Sequence, residues 1–179
     1  QADGIGIRIV SNPQHLSPQE WYATRGFTGS PSSLDVDGYP AIQDGTTIYV
    51  AASNRPKGST GKIYSNIYLI SHNENAKEVT VQIFNQMVAL LTFNTNKEFV
   101  TQSNVCVRPT TIVGKYSVYA TKTVNGEEPI PCSTDADCLA YGINNLHCDS
   151  DKLKITRDTK RLADFQQIAN ALEKTKAAG

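Results

Sequence analysis

Four cysteines are the residues whose type and spacing most clearly indicate chemistry in this sequence. Three of them fall within seventeen residues, and the set is Cys106, Cys132, Cys138 and Cys148. An even number of cysteines in a turn-rich segment is typical of an extracellular region held together by disulfides. We expect two of the three close cysteines to pair with each other and the remaining one to pair with Cys106. This leaves all three connectivities open.

Metal binding is the alternative for these cysteines. Zinc ligands usually come in C-x2-C or C-x4-C pairs, whereas five residues separate Cys132 from Cys138 and nine separate Cys138 from Cys148. His147 adjoins Cys148. If the thiols were free, we would expect a metal site built from Cys132, Cys138, His147 and Cys148. The sequence has no C-x-x-C motif that would favour thiol redox catalysis. Disulfides are therefore the preferred interpretation.

Pairs of aspartates two residues apart are candidates for calcium. Carboxylates in irregular loops can converge on a hard cation, but here no pair continues into a complete calcium loop with its terminal glutamate. We favour turn formation by aspartate side chains that bind the backbone. We therefore expect no cofactor, with calcium as the cation that these loops would suit. The candidate ligands are Asp35, Asp37, Asp135 and Asp137.

Tyrosines on two central segments suggest a binding surface. Tyr49, Tyr64 and Tyr68 lie in segments that alternate like strands, and rings that point outward could stack on sugars or on a partner chain. Core packing accounts for most tyrosines at such positions. A carbohydrate-binding module is therefore the alternative function rather than the leading one.

Catalytic motifs are scarce. His15, His72 and His147 lie in expected loops without a local partner, and the sequence contains no nucleophile elbow, phosphate loop or dinucleotide fingerprint. Whether the chain is an enzyme stays uncertain, with a non-catalytic role favoured. A hydrolase with a non-local active site is the third hypothesis, and it requires a histidine and a carboxylate in one deep pocket.

Charge and hydropathy exclude other classes of function. Seventeen basic residues balance seventeen acidic ones, so no overall field favours nucleic acid or an anionic membrane. No apolar run approaches the roughly 18 residues that span a bilayer. Met87 is the only methionine, so Gln1 is not a translational start, and we expect a fragment of a longer protein.

The sequence patterns of strands and helices predict an α+β fold with a mainly antiparallel sheet, which would position these residues. We expect a core domain over residues 1–125, a cysteine-rich loop region over 126–155 and a C-terminal amphipathic helix over 156–179 that belongs to the same domain. The predicted strands cover 5–10, 33–36, 47–52, 63–71 and 115–123, and the predicted helices start at Ser17, near Asn75 and at Thr156.

Local signals refine these elements. Ser17, Pro18 and Glu20 form a capping box, and Trp21 in that helix is expected in the core. The second helix should run from about Asn75 to Leu91, capped by Asn73 or Asn75, and should be buried across the sheet. Its apolar residues are Val79, Ile83, Phe84, Met87, Val88, Leu90 and Leu91. The segment from Gly29 to Gly45 reads as loop with one short strand, and little regular structure is expected from Glu128 to Asp151.

Two stretches resemble known families. The segment from Arg157 to Glu173, with its arginine–aspartate pair, basic pair, leucines and leucine–glutamate end, resembles the helix that follows the membrane segment in type IV pilins and type II secretion pseudopilins. The region from Asp37 to Asn94, together with the pattern from Cys132 to Cys138, resembles modules of very large secreted surface proteins of uncultivated bacteria. Both resemblances imply a location at the cell exterior.

The leading hypothesis is a non-catalytic structural or adhesive module of a secreted or cell-surface protein. Its partners would be other protein chains or cell-surface glycans. The final helix offers a criterion, because a filament subunit would bury it in neighbouring subunits and a free module would bury it against its own sheet.

Overall fold

The computed structural model describes residues 3–55, 63–93, 106–108, 118–119, 130–132, 135–139, 147–148 and 151–178. The chain has the predicted α+β class. It divides into two compact units, the first formed by Gln1–Asn96 with Ile155–Gly179 and the second by Lys97–Lys154.

A five-stranded antiparallel sheet is the centre of the first unit. Its strands follow the order β1-β5-β4-β3-β2, so β1 and β2 form the edges. The bounds are β1 Ile5–Ser11, β2 Ser32–Val36, β3 Tyr39–Asp44, β4 Thr47–Asn54 and β5 Tyr64–His72. The helices are α1 Pro18–Thr24, α2 Glu78–Ala89, α3 Asp135–Leu139 and α4 Asp151–Ala178. The strands predicted at 47–52 and 63–71 are present as β4 and β5, and they pair antiparallel with Val50 opposite Tyr68.

Strand β3 was missed by the sequence analysis, which placed a loop there. Asp37 and Gly38 both have positive φ, 54° and 81°, and they connect β2 to β3 as a two-residue hairpin turn. Aspartate–glycine is a preferred pair for a turn that needs positive φ at both positions. The pair was interpreted as a turn formed by aspartate side chains within a segment expected to be mostly loop, so the hairpin and its second strand were not predicted.

Both faces of the sheet are apolar and both are covered by helices. One face packs under α2 and the start of α4, and its buried residues are Val36, Tyr39, Ala41, Ile48, Val50, Ala52, Ile70, Phe84 and Ile155. The opposite face packs under α1, and its buried residues are Leu16, Trp21, Tyr22, Ile42, Tyr49, Ala51 and Ile67. Alternation along each strand sends successive side chains to opposite faces, which explains how β4 contributes to both clusters.

The capping box of α1 forms as predicted. The Glu20 backbone N–H donates to Ser17 Oγ at 3.2 Å, and the Ser17 backbone N–H donates to the Glu20 carboxylate at 3.2 Å. Pro18 occupies the first turn, where a missing N–H costs nothing. The helix places Trp21 in the core with 5% of its surface exposed, which confirms that prediction.

The start of α2 differs from the prediction. The helix begins at Glu78, its N-cap is Lys77, and neither Asn73 nor Asn75 caps it. The Asp3 carboxylate instead accepts hydrogen bonds from the Lys77 backbone N–H at 3.1 Å and from Thr80 Oγ1 at 2.7 Å. These bonds, with that from Thr80 the larger cause, lower the pKa of Asp3. Because Asp3 is far from Lys77 in the chain, no local sequence pattern indicates this cap.

Only one line of apolar residues on α2 is buried. Phe84 is 1% exposed and lies against the sheet, with the His72 ring at 4.8 Å between ring centroids. Val79 and Ile83 are more than half exposed, as is Leu90. The prediction that the apolar residues of this helix are buried across the sheet was therefore wrong for Val79, Ile83 and Leu90. One sheet can cover only one side of a helix.

In the second unit, three short strands and two disulfides form the described structure. Strands β6 (Cys106–Arg108), β7 (Val118–Tyr119) and β8 (His147–Cys148) pair in the order β7-β6-β8. Disulfides join Cys106 to Cys138 and Cys132 to Cys148, which confirms the expected bonds and selects one connectivity. The buried cluster is these four cysteines and Ile130. Helix α3 and strand β8 lie where little regular structure was expected, and most of the predicted strand at 115–123 lies outside the described residues.

We predict that Phe84→Ala destabilises the first unit by about 3–5 kcal/mol, because it removes a fully buried ring and leaves a cavity. Ile83→Ala, one residue away on the same helix, should change the free energy of unfolding by less than about 0.5 kcal/mol. Urea denaturation followed by Trp21 fluorescence measures both. Equal effects of the two substitutions would contradict the described packing of α2.

We predict that reduction unfolds the second unit and leaves the first unit folded. Among the described residues of the second unit, the cystines are most of the buried cluster, and each closes a loop whose cross-link is worth about 3 kcal/mol. Amide hydrogen exchange with and without a reductant should show lost protection at Ile130 and Cys148 and unchanged protection in β4 and β5. Retained protection at Ile130 after full reduction would contradict this.

Candidate functional site

Helix α4 is anchored to the first unit only along its first part. Ile155, Thr156, Thr159 and Ala163 are buried, and the Thr159 hydroxyl donates to the Ile155 carbonyl at 2.7 Å. Further along, the Gln167 side chain donates to Ser17 Oγ at 3.4 Å. Residues 171–177 are all exposed. A helix of 28 residues is about 42 Å long, so its second half extends beyond the sheet that holds its start.

Helix α4 carries an apolar line that we call the α4 seam, formed by the half-buried Leu162 and by the exposed Phe165, Ala169 and Leu172. Phe165 is 68% exposed and Leu172 is 66% exposed. The spacings of three, four and three residues are those of the inward-facing positions of a coiled coil. Ile168, also exposed, lies beside the seam. The seam is therefore an apolar face of the kind that helices bury against partners.

A groove runs beside the first half of the seam. It encloses about 640 Å³ and is lined by His15, Ile63, Tyr64, Asp158, Arg161, Leu162 and Phe165. The start of β5 forms one wall and α4 forms the other. Aromatic and aliphatic side chains thus share the groove with three groups that can carry charge.

His15 is held firmly at the edge of this groove. Its φ is 54°, which is unusual for a residue other than glycine, and its backbone N–H donates to the Asn12 carbonyl at 3.0 Å. Its Nδ1 shares a hydrogen bond with Ser65 Oγ at 2.7 Å, and Ser65 Oγ shares another with Ser53 Oγ at 2.7 Å. Burial lowers the pKa of His15, because it disfavours the charged imidazolium.

Charged groups line the α4 wall. Asp158 lies 3.4 Å from the Arg161 guanidinium and 4.0 Å from that of Arg55. All three side chains are partly exposed, so these ion pairs orient the groups more than they stabilise the fold. The groove therefore offers a carboxylate and guanidinium groups fixed close to exposed rings.

The three predicted binding tyrosines do not form one surface. Tyr49 is 7% exposed and packs edge-on against Tyr22 in the core beneath α1. Tyr68 lies on the opposite face of the sheet, half-buried and edge-on to Phe93 at 4.9 Å. Tyr64 is 55% exposed and lines the groove. Tyr49 and Tyr68 point to opposite faces because they occupy positions of opposite alternation in paired strands.

Two of the calcium candidates accept hydrogen bonds from the backbone, Asp35 within its own turn and Asp37 from a distant segment. The Gly38 N–H donates to Asp35 Oδ1 at 2.7 Å, and the Phe93 N–H donates to Asp37 Oδ2 at 2.6 Å. Asp137 is exposed on α3, and the side chain of Asp135 lies outside the described part of the structure. Turn formation stays the favoured interpretation of these aspartates, and calcium binding stays the untested alternative.

The cysteine sulfurs are close together but are not thiolates. Those of Cys106, Cys132 and Cys138 lie within 4.8 Å of one another because the two disulfides are neighbours. Metal ligation by cysteine needs the thiolate form, which a disulfide removes. The cluster is accordingly a covalent core rather than a metal-binding arrangement in this oxidation state.

The histidines separate into different settings. His15 and Asp158 line the same groove, which brings together a histidine and a carboxylate that the sequence places far apart. His72 shares a hydrogen bond with the Asn73 carbonyl at 2.8 Å and packs on Phe84. The side chain of His147 lies outside the described structure. Sequence reasoning missed the groove, because only the fold joins the turn after β1 to α4.

Comparison with known proteins gives no family: no protein-family model, curated protein or solved structure matches the chain. Within the described residues, each helix is either too short or too polar to cross a lipid bilayer. Function therefore has to be argued from the groove, the α4 seam and the disulfides.

We predict that His15 makes stability depend on pH. Its folded-state pKa lies below the ordinary value of about 6.5, so the unfolded chain binds the proton more tightly. The stabilisation is complete above that value and is lost as pH falls toward the folded-state pKa. Urea denaturation over this range should show decreasing stability, with a smaller decrease in His15→Asn, which tolerates positive φ. An NMR titration in which the folded and urea-unfolded chains give the same His15 pKa would contradict the prediction.

Proposed function

We propose that this chain is a non-catalytic structural or adhesive module of an extracellular or cell-surface protein, acting through its interaction surfaces. The observation that carries the proposal is the α4 seam. Half of a long helix is anchored to the chain's own sheet, while Phe165 and Leu172 on the other half are about two-thirds exposed. Large exposed apolar side chains in a contiguous line mark surfaces that proteins bury on partners.

The disulfides support an extracellular location. Both bonds lie in the second unit, whose buried cluster depends on them. Disulfides persist in oxidising compartments and are rare where glutathione keeps thiols reduced. The resemblance of this region to modules of large secreted surface proteins, and of α4 to a pilin helix, agrees with the same location.

The polar groups of the groove favour binding over catalysis. The Nδ1 of His15 is hydrogen-bonded to the buried Ser65, which fixes the orientation of the ring at the edge of the groove. The Asp158 carboxylate lies beside the Arg161 and Arg55 guanidinium groups, which contact its oxygens. These contacts hold the two side chains in fixed orientations, which suits binding of a ligand more than transfer of protons.

Carbohydrate binding is the second candidate function, and the groove is the observation that favours it. Tyr64 and Phe165 present exposed rings there, and Asp158 and Arg161 stand beside them with hydrogen-bonding groups. Sugars bind through stacking on rings together with planar polar side chains. The predicted role of Tyr64 is retained in this proposal, whereas the buried Tyr49 has no part in it.

Microspheres coated with the chain test the proposal directly. We expect them to be retained under laminar flow on a surface that carries either the same chain or a panel of neutral and acidic oligosaccharides. Phe165→Glu should reduce retention on protein by about tenfold or more, because it places a charge on an apolar face. Tyr64→Ala should reduce retention on sugars.

Ala171→Glu is the matched control, because it adds the same charge to α4 on the side away from the seam. Its retention should equal that of the unchanged chain. Absence of retention on every surface would refute the adhesive function, and loss of retention with Ala171→Glu would remove the role of the seam.

A further inference from the structure

The α4 seam is complementary to itself when two copies of the helix run in opposite directions. Its inward positions alternate in size, with Leu162, Phe165, Ala169 and Leu172 in chain order. In this arrangement a two-fold axis passes beside Gln167. Each residue that precedes Gln167 then lies opposite the partner's residue that follows Gln167 by the same number of positions. Leu162 then meets the partner's Leu172, and Phe165 meets the partner's Ala169, so a large ring lies over a small side chain.

Charge complementarity extends the same register. Four residues before Leu162 the line continues to Asp158, and four residues after Leu172 it continues to Lys176. The antiparallel arrangement places Asp158 opposite the partner's Lys176 at both ends. Asp158 has 35% of its side chain exposed and Lys176 is exposed, so both can reach a partner.

A parallel arrangement of the two helices fails by the same test. Each residue would meet its own copy, so Phe165 would face Phe165 while Asp158 faced Asp158 and Lys176 faced Lys176. Like charges opposite each other on paired helices are destabilising, whereas opposite charges specify orientation. Size and charge therefore select the same direction.

The groove lies beside the part of the seam that an antiparallel partner would cover. Leu162, Phe165 and Asp158 form its α4 wall, while Ile63, Tyr64 and His15 form the other wall. The second half of the partner's α4, which carries Leu172 and Lys176, would lie between these walls. The buried side of α4, with Thr159 and Ala163, faces the chain's own sheet and stays in place.

We propose that two copies of this chain associate through α4, antiparallel, with the exposed half of each helix in the groove of the other. The inference rests on the proposed function, and it names the partner of the α4 seam as a second copy. Because the contact is two-fold and uses the same patch on both copies, it closes as a dimer and does not grow into a filament. Four apolar layers form a small interface, so we expect reversible association with a Kd on the order of micromolar.

Sedimentation equilibrium of the full chain over a range of concentrations tests the proposal. The unchanged chain should approach twice its monomer mass as concentration rises. Leu172→Glu should weaken association at least tenfold, and the control Ala171→Glu should leave it unchanged. Both substituted residues are exposed in the second half of α4, so the fold is retained, and circular dichroism verifies this.

A charge exchange tests the register. Lys176→Asp alone places two carboxylates opposite each other at each end, and Asp158→Lys alone places two ammonium groups there, so each variant should associate about tenfold more weakly. An equimolar mixture of the two variants should recover the association, because each end of the mixed dimer again pairs opposite charges. Weakening by each single variant distinguishes the registers, because a parallel pair of unchanged chains already holds like charges opposite each other and would not be weakened further. The antiparallel register requires both the weakening and the recovery.

A chain that stays monomeric at every concentration, or one whose association is insensitive to Leu172→Glu, would overturn the dimer. Retention of coated microspheres on oligosaccharides by such a monomeric chain would leave the proposed function standing. Loss of both readouts would refute both proposals. Association that Leu172→Glu abolishes but that the mixed variants do not recover would overturn the antiparallel register.

Discussion

Burial of both faces of one antiparallel sheet is the constraint on which the rest of the first unit depends. Its central strands send large apolar side chains to each side, with Tyr49 on one face and Val50 on the other. Neither face can remain in water, so one is covered by α1 and the other by α2 with the start of α4. The position of α4, and therefore of everything it carries, follows from this requirement.

The requirement is met before α4 ends. Ile155 and Ala163 are buried against the sheet. The helix then continues past them, and Phe165, Ile168 and Leu172 are exposed. The first half of the helix is buried against its own sheet, and for the exposed second half we propose burial in a partner chain. The first half positions the groove beside Tyr64, and the second half presents the α4 seam.

Local chemistry allowed part of this to be predicted from the sequence. The α1 capping box uses residues three apart, and the paired strands β4 and β5 alternate clearly, so both were recognised. The cap of α2 by Asp3 and the groove that joins His15 to Asp158 depend on residues distant in the chain, and no local pattern reveals them. Amphipathic periodicity identified the apolar residues of α2 and α4 but not which of them the sheet would cover. For the same reason Tyr49 and Tyr68 were grouped together although they point to opposite faces.

Amide hydrogen exchange along α4 tests the central claim most directly, because it compares the two halves of one helix in one experiment. In dilute solution we expect slow exchange over residues 155–163, which pack on the sheet, and fast exchange over residues 168–177, whose side chains lack such packing. On concentration the second half should become protected as its seam is buried. Slow exchange along the whole of α4 in dilute solution would contradict the account, because it would show that the seam is already buried within a single chain.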